Sequence, residues 1–557
     1  MNIFKRAASP ISSEEFAKVF RRCRPPTGWP ETIAISNSGG PDSTCLLFLI
    51  QRYLSENTQA TELPRRAVSI HIDHGLQECS GSMAKRCAAA AKSIGVEHYT
   101  YKIPWSQNSW PEKPQKSTFF ENNARTARYR KIYEAMSDVD AKIIAMGHHK
   151  DDQVETMLMR VMKGSTSDGA SGMKYIRRWG MGLGVSGLLG ISTGSAHEGM
   201  RRWIIRPLLS LPKDRIYITC KHHNLSYVTD PTNLDEGLAI RNSLRKWLND
   251  PSQLDYPFSA EALQALDKHG IDLSTGKDQV YPILQELASE SENIDQEVDS
   301  IFNRNTLRSP VGTYLISCSS LSSITDLRVK RALILRILRY VSFFPWGSLY
   351  AQAHRRRHSL EQIIEKLWTS HPFQANIAPF CAGAGVGWTP VVIQGDQFRT
   401  PTRRLYDAHA NSPAGWLAFR QAPSQNFINS EYWSPLEVNV TQFLAEKLAY
   451  SQKTAEFLYD SRFLVTFDLT KIPLDIQQAL NNPQSNAAIW VKHRARWFWP
   501  VVVLRKDGQD TDIHFKVTLE ETDLLGSLKK DIWWRKVENE VESSWVTTKF
   551  IRVLSAL

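Results

Sequence analysis

The chain has little cysteine, and what it has is unpaired: seven residues in 557, an odd number, with no C-x-x-C among them. That scatter excludes a disulfide-stapled scaffold and a thiolate metal site, and it fits a reducing compartment. No apolar run approaches the roughly 20 residues that a membrane-spanning helix needs. No internal repeat is evident, which removes solenoid and propeller architectures. Lysine is missing from Ser36 to Gln51, so the glycine turn in that stretch is not a Walker-type loop, which needs Gly-Lys-Ser/Thr to reach terminal phosphates. What the chain does have is length for roughly three domains, 42% hydrophobic residues for their cores, and a net charge of +11 that favours a polyanionic partner.

The most informative segment is Ser38-Gly39-Gly40-Pro41-Asp42-Ser43, set between the apolar stretch Thr32 to Ser36 and the helix-like Thr44 to Ile50. Two glycines let the backbone turn tightly and approach a ligand, and the opening helix offers unpaired N–H groups and its positive dipole end to an anion. Ser38 and Ser43 add hydroxyls, and Asp42 suits a metal ion or a water beside phosphates. The plainer alternative is a strand-to-helix turn capped by Asp42 or Ser43.

Arg66 to Leu76 reads as a second buried parallel strand, with His71, Asp73 and His74 at its carboxyl end, where open α/β sheets bind ligands. Those three residues are open to metal ligation or to simple hydrogen-bond satisfaction, and the lack of a nearby thiolate favours the latter. A helix-like segment carries Glu121, Ala124, Arg125, Arg128 and Tyr129. There Glu121 and Arg125 are spaced to pair, and the arginines are either solvated or a grip for phosphate. A third strand, Ala141 to Met146, runs into Gly147-His148-His149-Lys150-Asp151-Asp152-Gln153-Val154-Glu155. On a helix, Asp151, Asp152 and Glu155 crowd one end, a repulsion that needs the helix amino terminus, Mg2+, an arginine or a substrate ammonium to offset it. Asp151 also suits a helix cap.

The Ser-Gly-Gly-x-Asp-Ser pattern resembles the PP-loop ATP pyrophosphatases, which split ATP between the α- and β-phosphates to adenylate a substrate. With Arg206-Pro207-Leu208-Leu209, Asp230-Pro231-Thr232-Asn233 and Arg241-Asn242-Ser243-Leu244-Arg245 following in order, the chain from about Glu14 to Trp247 resembles the tRNA(Ile)-lysidine synthetase family. That resemblance implies a doubly wound parallel α/β domain of PP-loop type, ATP and Mg2+ as cofactors, and an isoleucine tRNA with a CAU anticodon and L-lysine as partners. It places ATP on Ser38, Gly39, Gly40, Pro41, Asp42, Ser43, His71 and Asp73, with Asp42 on Mg2+. It also places Arg128 on phosphate charge, Asp152 and Glu155 on the lysine, and Arg125, Asp151, Arg206, Arg241 and Asn242 on the substrate side. No membrane is implied, and a homodimer is compatible with it. The unpaired cysteines tell against the sulfur-transferring tRNA enzymes of the same superfamily. Two other classes stay open, a PP-loop synthetase acting on a small molecule or another tRNA base and a non-catalytic RNA-binding protein.

The chain departs from that family in a glycine-rich stretch, Gly164 to Trp203, read as an insertion that displaces the family's compact glycine turn to Gly187-Leu188-Leu189-Gly190-Ile191. The GxGxxG at Gly182 to Gly187 has no strand before it and predicts no dinucleotide site. Domains are expected at 1–249, for catalysis, at 250–370, mainly helical and basic, and at 431–557, mixed α+β, with a linker-rich 371–430 between the last two. Arg355, Arg356 and Arg357 are candidate contacts to an RNA backbone, against a solvated helix surface. Trp497-Phe498-Trp499 and Trp533-Trp534 are expected in the last core. The basic, serine-containing Met1 to Arg24 resembles a mitochondrial presequence, while Glu15 to Arg22 also reads as the first helix of the catalytic domain. An organellar, mitochondrial enzyme is the expectation, and a cytoplasmic one the alternative.

Overall fold

The computed structural model describes residues 9–76, 80–107, 110–114, 120–164, 167–181, 195–228, 244–248, 250, 260–267, 270–272, 277–348, 351, 357–395, 397–401, 407–423, 436–481, 486–494, 496–519 and 541–556. They form two compact units. One takes the chain up to 179 together with 201–293, and the other takes 180–200 together with 294–556.

The first unit is an α/β domain around a six-stranded sheet in the order β3-β2-β1-β4-β6-β5. Its strands are β1 (Thr32–Ser36), β2 (Arg66–Asp73), β3 (Glu97–Lys102), β4 (Ile143–Ala145), β5 (Ile176–Arg178) and β6 (Trp203–Ile205). All neighbours are parallel except β5, which runs antiparallel to β6 on the edge. β1 and β4 are apolar and wholly or nearly wholly buried, as strands covered on both faces must be. Around the sheet lie α1 (Ser13–Arg22), α2 (Pro41–Glu56), α3 (Ser80–Ile94), α4 (Phe120–Asp138) and α5 (Lys150–Met162).

Helix α1 joins the core of this unit. Phe16 and Phe20, four apart and so on one face, are fully buried, and Phe20 stacks on Trp29 with ring centroids 4.5 Å apart. Each buried ring contributes about 1.5–3 kcal/mol. Ser12 caps the helix by accepting from the Glu15 N–H at 3.2 Å, Glu15 takes a two-pronged ion pair from Arg215 at 2.5 and 2.7 Å, and Arg22 pairs with Glu292.

The apolar face of α5, Val154, Met157, Leu158 and Val161, packs against Leu244, Trp247 and Leu248. Leu266, from the helix Ala260–Asp267, and Val280 and Leu284, from the helix Lys277–Arg304, join the same cluster. Chain beyond the expected boundary at 249/250 therefore still belongs to this unit, because it helps to cover the apolar side of α5.

The second unit is richer in strands than the sequence suggests. Residues 371–430, expected as linker-rich, contain β8 (Phe380–Cys381), β9 (Val386–Gln394), β10 (Gln397–Arg399) and β11 (Ala414–Arg420), which join β7 (Tyr314–Ser317) in a five-stranded sheet. Gly387, Pro390 and Gly415 of that stretch lie inside its strands, and Gly415 lies where a Cβ would meet the Ile316 carbonyl oxygen at 2.7 Å. Two four-stranded sheets follow. Trp388, Trp416 and Trp499 are buried in their common core, and Trp533 and Trp534 lie outside the described residues. Met181 and Met200, both from the glycine-rich stretch, pack with Trp346, Leu458 and Leu464 of this unit. Here too Asp460 is buried between Arg420, at 2.9 and 3.2 Å, and Arg462, at 2.8 Å.

Candidate active site

The carboxyl ends of β1, β2 and β4 converge on one point of the first unit, and the loops that leave them build the site. After β1, Asn37 folds the loop on itself. Its Oδ1 accepts from the Gly39 N–H at 2.9 Å, and its Nδ2 donates to Ser69 Oγ at 3.1 Å on the neighbouring strand. Gly39 adopts φ +83°, and a Cβ there would lie 2.6 Å from Cys87 Sγ, so conformation and space both demand glycine. Ser43 Oγ accepts from the Ser38 N–H at 3.2 Å and donates within the same turn. Gly40 is the N-cap of α2, with no side chain capping it, and Pro41 opens the first turn. The first N–H groups of α2 are thus left for a ligand, which is the arrangement that binds phosphate.

His71, on β2, holds this loop through its backbone. His71 Nδ1 lies 2.8 Å from the Asn37 carbonyl oxygen, and that bond requires Nδ1 to carry the proton. Burial pushes the His71 pKa below its ordinary value, ahead of the opposing bond to Asn37 and the charge of Asp73. Asp73 Oδ1 accepts from the Gly75 N–H at 2.8 Å. His74 is driven down to about 4, first by burial and then by Arg128. His71 and His74 are therefore neutral near pH 7.

Gly147, at the end of β4, was not singled out from the sequence. A Cβ on it would sit 3.0 Å from the Asp42 carbonyl carbon and 3.1 Å from both its oxygen and the Ser43 nitrogen. Only glycine lets the β4 loop lie directly on the first turn of α2. That contact sets Asp42 beside the acidic helix: His149 Nε2 stands 3.7 Å from Asp42 Oδ1 and 3.4 Å from Asp152 Oδ2.

Each of the three crowded carboxylates has a partner of its own. Asp152, not Asp151, caps α5, its Oδ2 accepting from the His149 N–H at 3.0 Å. Asp151 instead accepts from the Tyr281 hydroxyl. Glu155, 2% exposed, accepts from Arg245 Nε at 2.9 Å. Burial alone would raise the Asp152 pKa, but His149, His148, the His149 N–H and Arg245 outweigh it and hold the carboxylate below its usual range. Asp42 goes the other way, because burial pushes it up more than His149 and Lys213 pull it down. Its Oδ1 is buried and has no hydrogen-bond partner among the described residues. An orphaned carboxylate oxygen beside an open phosphate cradle fits a divalent cation. Among the described residues no three His, Cys, Asp or Glu side chains gather as a metal cage, so phosphate and water oxygens would complete the shell, as they do for Mg2+.

Arg125 and Arg128 lie on α4, their guanidinium carbons 5.2 and 5.9 Å from the Tyr129 ring centroid. Arg206 is 5% exposed and donates to the Lys174 carbonyl oxygen at 2.9 Å. Asp230 to Asn233, Arg241, Asn242, Arg355 and Arg356 lie outside the described residues, and Arg357 opens the helix Arg357–Leu367.

Part of the glycine-rich stretch seats on the acidic helix. Gly187 to Ile191 also lies outside the described residues, and the turn that seats on α5 is Gly169 to Met173. Arg160 Nη1 donates to the Gly169 and Gly172 carbonyls at 3.0 and 2.6 Å, and Gln153 bonds both the carbonyl and the N–H of Met173. Gly172 has φ +83°, with Gln153 Oε1 2.6 Å from where a Cβ would be.

Residues 12–251 match the family model described as a PP-loop domain. The chain is 30% identical over 226 residues to a tRNA(Ile)-lysidine synthase of a Bradyrhizobium species, 41% of this chain and 53% of that one. It is 32% identical over 263 residues to one from Bacillus cereus, 47% of each chain, and 31% identical over 242 residues to one from Methylobacterium nodulans, 43% of this chain and 60% of that one. The chain thus spans about half the length of the curated relatives it matches.

Proposed function

We propose that this protein uses ATP to join L-lysine to C2 of the wobble cytidine in an isoleucine tRNA bearing a CAU anticodon. The observation that carries the reading is the juxtaposition of an open phosphate cradle with an acidic helix end, joined through His149, which faces Asp42 on one side and Asp152 on the other. Similarity to curated tRNA(Ile)-lysidine synthases, with a PP-loop family match over residues 12–251 that include the cradle and the acidic helix, supports it.

The chemistry falls into two steps. The cradle, Ser38 to Ser43, receives the phosphates of ATP on backbone N–H groups and hydroxyls. The C2 carbonyl oxygen of the cytidine attacks the α-phosphorus, the bond to the β-phosphate oxygen breaks, and pyrophosphate leaves. Asp42 would hold Mg2+, which supplies charge neutralisation at the phosphates when bound. Lysine then attacks C2 through its side-chain nitrogen, and the C2–O bond breaks with AMP as leaving group. That amine is an ammonium near pH 7 and must lose a proton first. Asp152 and Glu155 hold the ammonium, the depressed Asp152 being charged throughout the neutral range, and His149 is within reach to receive the proton.

The test is incubation of the protein with labelled lysine, ATP and unmodified CAU-anticodon isoleucine tRNA, with tRNA omitted as one arm. Label should pass stably to the tRNA, with pyrophosphate release dependent on it. Brisk pyrophosphate release without RNA and no transfer would refute the reading in favour of a small-molecule synthetase, and no ATP cleavage at all would refute catalysis.

A further inference from the structure

The first unit carries a group of cations that the cradle does not use. Arg177, on the edge strand β5, is exposed, and its Nε makes a long bond to the neighbouring Arg178 carbonyl at 3.4 Å. Arg125, on α4, is also exposed, its guanidinium over Tyr129, whose ring centroid lies 5.7 Å from that of Trp179, two residues on from Arg177. Neither forms an ion pair among the described residues. Arg206, whose backbone N–H bonds the Tyr175 carbonyl at 2.9 Å just ahead of β5, is 5% exposed, with its Nε buried and without a partner among those residues. The charges act on one another: burial, then Arg177 and Arg125, push Arg206 down to about 10 against the opposing effect of Tyr129.

Three guanidinium groups in mutual repulsion, one with an unsatisfied buried N–H, cost stability unless an anion joins them. Arginine's planar fork matches phosphate oxygens better than any other side chain. β5 is held in place by its antiparallel register with β6, Ile176 opposite Ile205 and Arg178 opposite Trp203, so Arg177 is presented from a strand and not from a mobile loop. Alternate residues of a strand face opposite ways, which leaves Arg177 exposed between the buried Ile176 and Arg178.

We propose that Arg125, Arg177 and Arg206 form a second phosphate seat, separate from the Ser38 to Ser43 cradle, which takes a phosphodiester of the RNA substrate. This rests on the reading of the protein as a tRNA-modifying enzyme. The same chemistry would also accept a phosphate of ATP, and the two sources separate by experiment. Arg177 is the informative position, because it is exposed and its loss leaves no cavity.

Full-length Arg177→Gln and Arg177→Lys are compared with the parent for binding of unmodified isoleucine tRNA across a salt series and for binding of Mg-ATP without RNA. The seat predicts tRNA affinity about tenfold weaker in Arg177→Gln, a log–log salt slope shallower by about one phosphate contact, partial retention in Arg177→Lys, and ATP affinity unchanged. A loss confined to ATP binding would keep the phosphate seat and overturn its assignment to RNA. Parental affinity for both ligands in folded Arg177→Gln would overturn the seat itself. Failure of the parent to bind tRNA at all would instead overturn the functional reading on which the assignment rests.

Discussion

Replacing Gly147 by alanine tests whether close contact between the β4 loop and α2 positions the chemistry. The added methyl would lie 3.0 to 3.1 Å from three backbone atoms of Asp42 and Ser43, whereas carbon contacts are comfortable from about 3.5 Å. The deficit is roughly 0.4 Å. No rotamer change can relieve it, because all three atoms are main chain, so the first turn of α2 must back away from β4. Overpacking of this kind costs about 1–2 kcal/mol. The catalytic consequence follows from the same displacement: a 1 Å misplacement costs on the order of a hundredfold in rate, and a log-linear interpolation to 0.4 Å gives roughly sixfold. tRNA-dependent pyrophosphate release should therefore fall several-fold in Gly147→Ala, with a lower Tm. Gly164→Ala is the control, since that glycine has φ +73° and nothing within 4 Å of its Cβ position. It should lose about 1 kcal/mol to backbone strain and keep its rate. Parental rate and Tm in Gly147→Ala would refute the claim that this contact positions Asp42.

Asp152→Asn keeps an oxygen that can still cap α5, so pyrophosphate release should persist while lysine transfer collapses, and equal loss of both products would move Asp152 to the ATP step. Because the folded state depresses the Asp152 pKa, its charge stabilises the protein above the unfolded value of about 3.9, and that contribution is lost as pH falls through the lower folded value. The stability gap between parent and variant in thermal melts should accordingly be present at pH 7 and shrink below about pH 4. Tyr281→Phe removes the hydroxyl that serves the buried Asp151 and should cost about 1–3 kcal/mol in denaturant titration, an unchanged midpoint being the contrary result. Asp460→Ala leaves Arg420 and Arg462 buried with no counter-charge and should destabilise the second unit by about 3–5 kcal/mol. A midpoint within error of the parent would show the arginines to be hydrated.

The elements of the site that were legible in the sequence are those whose physics is local. A strand-turn-helix with two glycines predicts the phosphate loop, because φ +83° at Gly39 and free N–H groups at a helix start follow from a few consecutive residues. The apolar β-branched runs of β1, β2 and β4 likewise announce buried parallel strands. Strand β3 carried no such signal, being a largely exposed edge, Glu97 to Lys102, and neither did the short strands of 371–430, whose prolines and glycines read as linker.

What only the tertiary structure decided concerns partners distant in sequence. Asp151, Asp152 and Glu155 look equivalent on a helical wheel, yet Tyr281, 130 residues on, takes the first, the backbone takes the second and Arg245 takes the third. Gly147 reads as one more glycine until Asp42 is seen against it. Many glycines in one stretch are likewise alike in sequence, and the hydrogen bonds from Gln153 and Arg160 pick out Gly169 to Met173 as a turn on α5. Local conformational preference is written in neighbouring residues, whereas the pairing of buried charges and the close approach of two backbones depend on which surfaces the folded chain brings together.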